Sequence, residues 1–263
     1  MRRLGIITVL LYLMVGDLVF SQDQAIMKDN DFGVALGLTE YQTIEKVLNN
    51  VKHRGIFPSF GISYESSNEI LKHDVELYFI FNSLKSRFEK GNNTFAMNLA
   101  LDYKYIRKVK DFNTRLCLLL GGVMGFDSNI SFFENWDNSH FYWLTSYYLG
   151  IDGMLLFKKS NGTFFTFEVS APVVALVSRP PQRFLKSEIN PKFSWIINRL
   201  NDDLTFTSIH RHIDLQTDLT YNFKYSSKFK PAISWRFRYL TNSMSYSKNI
   251  KILTHTFAIM FHF

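Results

Sequence analysis

The chain has 263 residues, enough for one large domain; 46% are hydrophobic, 16% aromatic and 20% charged. The aromatic content excludes disorder, thirteen glycines without a three-residue period exclude collagen, and a mean hydropathy of -0.06 excludes a helical membrane protein. A single cysteine, Cys117, excludes an internal disulfide framework, and 30 basic against 23 acidic side chains leave a formal charge of +7.

Arg2 and Arg3 precede an apolar run from Leu4 to Val15, and Val19-Phe20-Ser21 then supplies a peptidase site. Residues 1–21 therefore read as a secretory signal peptide cleaved after Ser21, because the run is shorter than the ~20 residues a spanning helix needs. No cysteine stands at the cleavage point, which excludes a lipoprotein. Residues 22–263 form one domain, with no sign of a second.

From Asp31 onward the signal is alternation with a period of two. Phe95, Met97, Leu99, Leu101, Tyr103 and Tyr105 make one face of a strand, against Ala96, Asn98, Ala100, Asp102 and Lys104 on the other. Leu219, Tyr221 and Phe223, then Ile233, Trp235, Phe237 and Tyr239, repeat the pattern. The spacing predicts roughly ten strands, with cores at 31–38, 56–65, 71–82, 94–106, 114–126, 142–157, 163–177, 205–225, 229–241 and 250–263. Short connections at 66–69, 108–113, 158–162 and 226–228 alternate with longer ones at 39–55, 83–93, 127–141, 178–204 and 242–249. A short helix is expected at Phe193–Leu200.

A soluble barrel buries its apolar face, whereas a membrane barrel shows that face to lipid. Alternating short turns and long loops, strands long enough to cross a bilayer, and aromatics near the short turns (Tyr103, Tyr105, Tyr221, Tyr225, Phe229, Phe261) favour the membrane form. The polar faces carry Glu65, Asp74, Glu76, Asp102, Asp152, Glu168 and Asp218 with Lys104, Arg115, Lys224, Arg236 and Arg238. Inside a narrow bore these groups are expected to pair, in similar numbers of each sign, into a network that fills the lumen.

The ending Thr254-His255-Thr256-Phe257-Ala258-Ile259-Met260-Phe261-His262-Phe263, with Phe257, Ile259, Phe261 and Phe263 in alternation, resembles the C-terminal signal strand of bacterial outer-membrane β-barrels. The resemblance implies a closed antiparallel up-and-down transmembrane barrel of all-β class, assembled by the outer-membrane insertion machinery and resident in outer-membrane lipid. A basic 178–204 loop, with Arg179, Arg183, Lys186, Lys192 and Arg199, would then face lipopolysaccharide phosphates. No nucleic-acid module is evident.

The expected role is a structural or interaction component of the envelope, or a narrow small-solute passage with a charge-plugged lumen. A second reading is a lipid-acting hydrolase using His210 or His212 as base and Ser208 as nucleophile, since a serine needs a neighbouring base. It lacks the His-x-Ser-Asn-Gly pattern of outer-membrane phospholipases, and parity from Tyr221 sends His210, His212 and Asp214 into the lumen, away from lipid. A third reading is a secreted or periplasmic soluble β-barrel binding protein. His210, His212 and Asp214 alone are too few for a metal site, and no cofactor is implied. Cys117 reads as lumenal packing, and Gly121-Gly122-Val123-Met124-Gly125, with no helix after it, is not a phosphate loop.

Overall fold

Each strand expected from the alternation forms, and most run several residues further toward the long-loop end. The computed structural model describes residues 29–45, 52–68, 70–86, 93–113, 115–133, 140–159, 163–179, 200, 204–223, 230–244 and 247–263. The expected signal peptide, the 193–199 part of the expected helix, Tyr225, Phe229 and Lys224 lie outside the described residues. The strands are β1 (Asp29–Glu45), β2 (Lys52–Ser67), β3 (Leu71–Ser86), β4 (Asn93–Asp111), β5 (Leu116–Phe133), β6 (His140–Lys158), β7 (Phe164–Ser178), β8 (Thr205–Ser208), β9 (His212–Asn222), β10 (Lys230–Met244) and β11 (Ser247–His262).

Every neighbouring pair is antiparallel, and β1 pairs with β11 from Gly33–His262 to Glu45–Ile250, so the sheet closes on itself. β8 and β9 occupy one position. β8 pairs with the loop end of β7 (Val174–Ser208 to Val177–Thr205), while β9 pairs with its turn end (Phe164–Asn222 to Ser170–Gln216). The barrel therefore has ten staves. The jog at Ile209–Arg211 is held by Arg211 N–H donating to the Ser208 carbonyl at 2.9 Å and Ser243 N–H donating to the Arg211 carbonyl at 2.8 Å. On β7, Gly150 pairs with Pro172 and Leu149 with Val174, leaving Val173 as an extra residue. A proline has no N–H for the ladder, so a bulge there costs little pairing.

The outer face carries an apolar belt: Leu36 and Leu38 on β1, Phe60 on β2, Phe79 and Phe81 on β3, and Phe257 and Ile259 on β11 are all exposed. Further along the same outward face come Glu40, Arg54, Ser83 and Lys251. The inner face changes in the opposite sense: charged near the turns, and near the loops built from Tyr41, Leu84, Leu144, Val177, Leu240, Ile250 and Ile252. A 17-residue strand such as β1 is about 56 Å long at ~3.3 Å per residue and reaches about 43 Å along the axis at ~40° tilt, against a lipid-facing band of ~25 Å. On β1–β3 and β11 the loop half thus projects beyond the belt, polar outside over an apolar inside, whereas on β5–β8 apolar side chains stay outward toward the loops: Ile130, Trp143, Leu176 and Phe206.

Candidate functional site: the lumen

The lumen is built in three levels. Nearest the short turns, Lys72 on β3 is 3.0 Å from Glu65 on β2, and Lys230 on β10 is 2.7 Å from Asp31 on β1. These pairs link adjacent or nearly adjacent staves at the mouth.

Above them an ion-pair chain crosses the bore. Arg236 on β10 donates through Nε to Asp218 on β9 and through Nη2 to Glu76 on β3, both at 2.7 Å. Lys104 on β4, 1% exposed, reaches Glu76 at 3.4 Å and also binds Glu168 on β7. Glu168 stands in register with Asp218, so the chain returns to its starting stave. Each of these two cations binds one carboxylate on a laddered neighbour and one on a strand the ladder does not join to its own. A second strut lies higher: Arg238 binds Asp214 on β9 and, at 2.9 Å, Asp127 on β5. Asp127 accepts from Asn98 and Asn129, both at 2.6 Å, and Asn129 accepts from the Tyr41 hydroxyl at 3.2 Å. Tyr148 donates to Asp102. Removing charges from water is costly, and these multiple partners offset that cost.

The loop end is filled largely by apolar packing. Tyr41, Leu84, Ala96, Tyr142, Leu144, Ala175, Val177, Leu240, Ile250 and Ile252 belong to one buried cluster with Phe57 against it; Val123 joins it from lower down, in register with Lys104, while β5 turns Asn129 and Ser131 inward at the loop end. Over it, the Arg179 guanidinium donates to the Tyr142 hydroxyl at 2.6 Å and to the Asn242 side-chain oxygen at 2.9 Å.

Ten of the twelve expected network residues face the lumen, and the rest need correction or lie elsewhere. Arg115 is exposed in the turn before β5, outside the network. Carboxylates outnumber cations among the described lumenal residues, contrary to the expected balance. Asp31, Asp127 and Asp214 join the acids, and Arg115 is lost from the bases. Asp127 was missed because the expected fifth strand stops at 126, whereas β5 runs to Phe133. Lys72 was legible, since it shares parity with Asp74 and Glu76. Arg179 is not a loop-surface cation but is wholly buried; the other basic residues of that loop lie outside the described residues.

The candidate hydrolase residues do not assemble. The jog breaks the parity that placed both histidines inward: His210 is exposed in the turn, and only His212 and Asp214 share the buried face. The His212 Nδ1 lies 3.3 Å from the Asn242 amide nitrogen, and its Nε2 has no hydrogen-bond partner. Ser208 meets neither histidine by hydrogen bond. No cluster of three or more metal-ligating side chains occurs among the described residues. At the other end, Phe257, Ile259 and Phe261 alternate outward on β11, and the Phe263 backbone exchanges hydrogen bonds with Phe32 at 2.8 and 3.1 Å.

A closed antiparallel barrel with a lipid-compatible belt and a charged bore is the fold of a bacterial outer-membrane β-barrel. Among solved structures it is similar to the outer membrane protease OmpT from Escherichia coli, with a TM-score of 0.54 and 7% identity over 92% of this chain and 99% of that one. The translocator domain of the autotransporter NalP from Neisseria meningitidis gives 0.45 at 8% identity, covering 98% and 96% of the two chains. Ail, the attachment invasion locus protein of Yersinia pestis, gives 0.40 at 10% identity, covering 89% and 99%. No protein-family model matches the sequence, and no curated protein does.

Proposed function

We propose that this protein is a sealed barrel of the bacterial outer membrane, serving as a structural or interaction component of the envelope rather than as an open passage. The observation that carries the reading is the apolar cluster closing the loop end, with Leu84, Leu144, Val177 and Leu240 fully buried across the bore. Water and ions do not cross such a packed layer, and the ion-pair chain beneath it holds opposite staves together. The projecting collar offers a surface to outer partners; lipopolysaccharide phosphate is the partner suited to the other bases of the 178–204 loop, Arg183, Lys186, Lys192 and Arg199. Export by residues 1–21, and insertion through the alternating aromatic end of β11, belong to the same reading.

Planar-bilayer recording tests it. Reconstituted protein should give no single-channel steps, and Leu144→Gly with Leu240→Gly should open a leak by removing the packed layer. Steady steps from the unmodified barrel would refute the sealed bore.

A further inference from the structure

Below the apolar layer the lumen opens into a cavity of about 640 Å³. Its rim is at the short-turn side, where Ser67, Asn68, Lys158 and Phe223 stand at strand ends. The wall mixes charged and neutral polar side chains, and β5 and β6 contribute Leu119, Met154 and Leu156, an apolar arc extended by Phe164 on β7. The size is that of a small-molecule pocket, and the wall is amphipathic.

Lys158 at the rim of this wall is exposed, and deeper in the pairing of charges is incomplete on the carboxylate side. Four lumenal cations are each held by carboxylates: Lys72 by Glu65, the buried Lys104 by Glu76 and Glu168, Arg236 by Asp218 and Glu76, Lys230 by Asp31. The carboxylates are not all held. Asp74 lines the cavity at 6% exposure; its Oδ1 has no hydrogen-bond partner, and its Oδ2 is 3.7 Å from Lys72. Asp152, 3% exposed, has no partner at either oxygen. Its register neighbours are Gly121, which has no side chain, and Ser170, and it shares the inward face of β6 with Met154. An unpartnered buried carboxylate is expensive as an anion, and a positive group that meets it lowers that cost.

We infer that the cavity is a binding site for an organic cation, an amine carrying an apolar body, entered from the short-turn mouth. The ammonium meets Asp74 and feels Asp152 behind the wall, while the apolar body lies on Leu119, Met154 and Leu156. A bare metal ion fits less well, because the volume is far larger than an ion and no metal-ligating cluster occurs among the described residues. An anion finds the buried cations already occupied. The inference stands whether or not the loop end conducts, because the site is reached from the opposite mouth.

The test is calorimetric titration of the folded full-length barrel in detergent with three probes of one shape: phenethylamine, 2-phenylethanol and phenylacetate. Phenethylamine should bind saturably and at least about tenfold more tightly than the other two. Asp74→Asn should weaken it by a similar factor, and Met154→Trp, which fills the apolar arc, should abolish it. Both variants are first checked for the heat-modifiable gel shift of a folded barrel, and Asp152→Asn gives a second charge variant if either fails that check. Equal binding of all three probes, no saturation by about 10 mM phenethylamine, or undiminished affinity in the folded Asp variants would overturn the assignment.

Discussion

At the scale of single residues, the lumen depends on a few cations that each serve more than one carboxylate. Lys104 is the clearest case, because Glu76 and Glu168 approach it from different staves and water scarcely reaches it. Lys104→Met should destabilise the barrel by about 3–5 kcal/mol, read from urea unfolding in lipid, since it leaves buried charge uncompensated. Adding Glu168→Gln should recover part of that loss, because the two positions are coupled; strictly additive losses would show that the pair is not an energetic unit. Gly121 is a different constraint. A Cβ there would sit 1.8 Å from the Tyr105 carbonyl oxygen and 2.7 Å from the Ile106 Cα, both backbone atoms that cannot swing aside. Gly121→Val should therefore lose the folded, heat-modifiable band on unboiled gels, while a folded variant would mean that β4 and β5 can separate. The glycine pair was visible in the sequence only as a negative, a phosphate loop without its helix. Nothing in the spacing announces that a neighbouring strand passes so close.

At the scale of the strand, polarity reverses partway along. On β1, Leu36 and Leu38 face outward at 55% and 59% exposure, but Glu40 follows on the same face while Tyr41 and Thr43 are buried inside. On β11, Phe257 and Ile259 face outward, yet nearer the loops Ile250 and Ile252 face inward and Lys251 outward. Alternation made the turn-side half legible, because large apolar residues face outward there and polar or small ones mostly face inward. Beyond the belt the period persists but on several strands the preference inverts, so a reading that expects one sense throughout ends those strands early. That is why the first strand was expected at 31–38 and runs over Asp29–Glu45, and why the connection expected at 242–249 shrinks to two residues between β10 and β11. The inversion places the membrane boundary between Phe81 and Ser83 on β3. Phe257→Arg, inside the belt, should cost about 2–4 kcal/mol, whereas Ser83→Arg should cost near zero. Similar penalties at both positions would move the boundary to the loops.

For the whole molecule, the same boundary fixes which tryptophan meets acyl chains. Trp235 lies on the outer face of β10 between Ile233 and Phe237, stacked on Phe237 and tilted against Phe257. Trp143, on the outer face of β6, is buried with Ile130, Met97, Phe132 and Leu200, and donates to the Ser178 hydroxyl at 3.1 Å. In vesicles of brominated lipid, a variant retaining only Trp235 should be strongly quenched and one retaining only Trp143 weakly; equal quenching would place the collar inside the bilayer. The closed, ten-stave architecture was readable from strand number and turn spacing. The site was readable only as a set of inward charges, because the partners across the bore follow from curvature, which a linear pattern does not encode. The seam between β1 and β11 carries one more implication. Thr39 and Thr256, 217 positions apart, share a 2.7 Å hydrogen bond across it. Ordering so long an intervening chain is costly, and the ladder along the seam repays it only when the circle is complete. A barrel missing either seam strand is not a slimmer tube but an open ribbon with two adhesive margins, one that its own kind can zip onto.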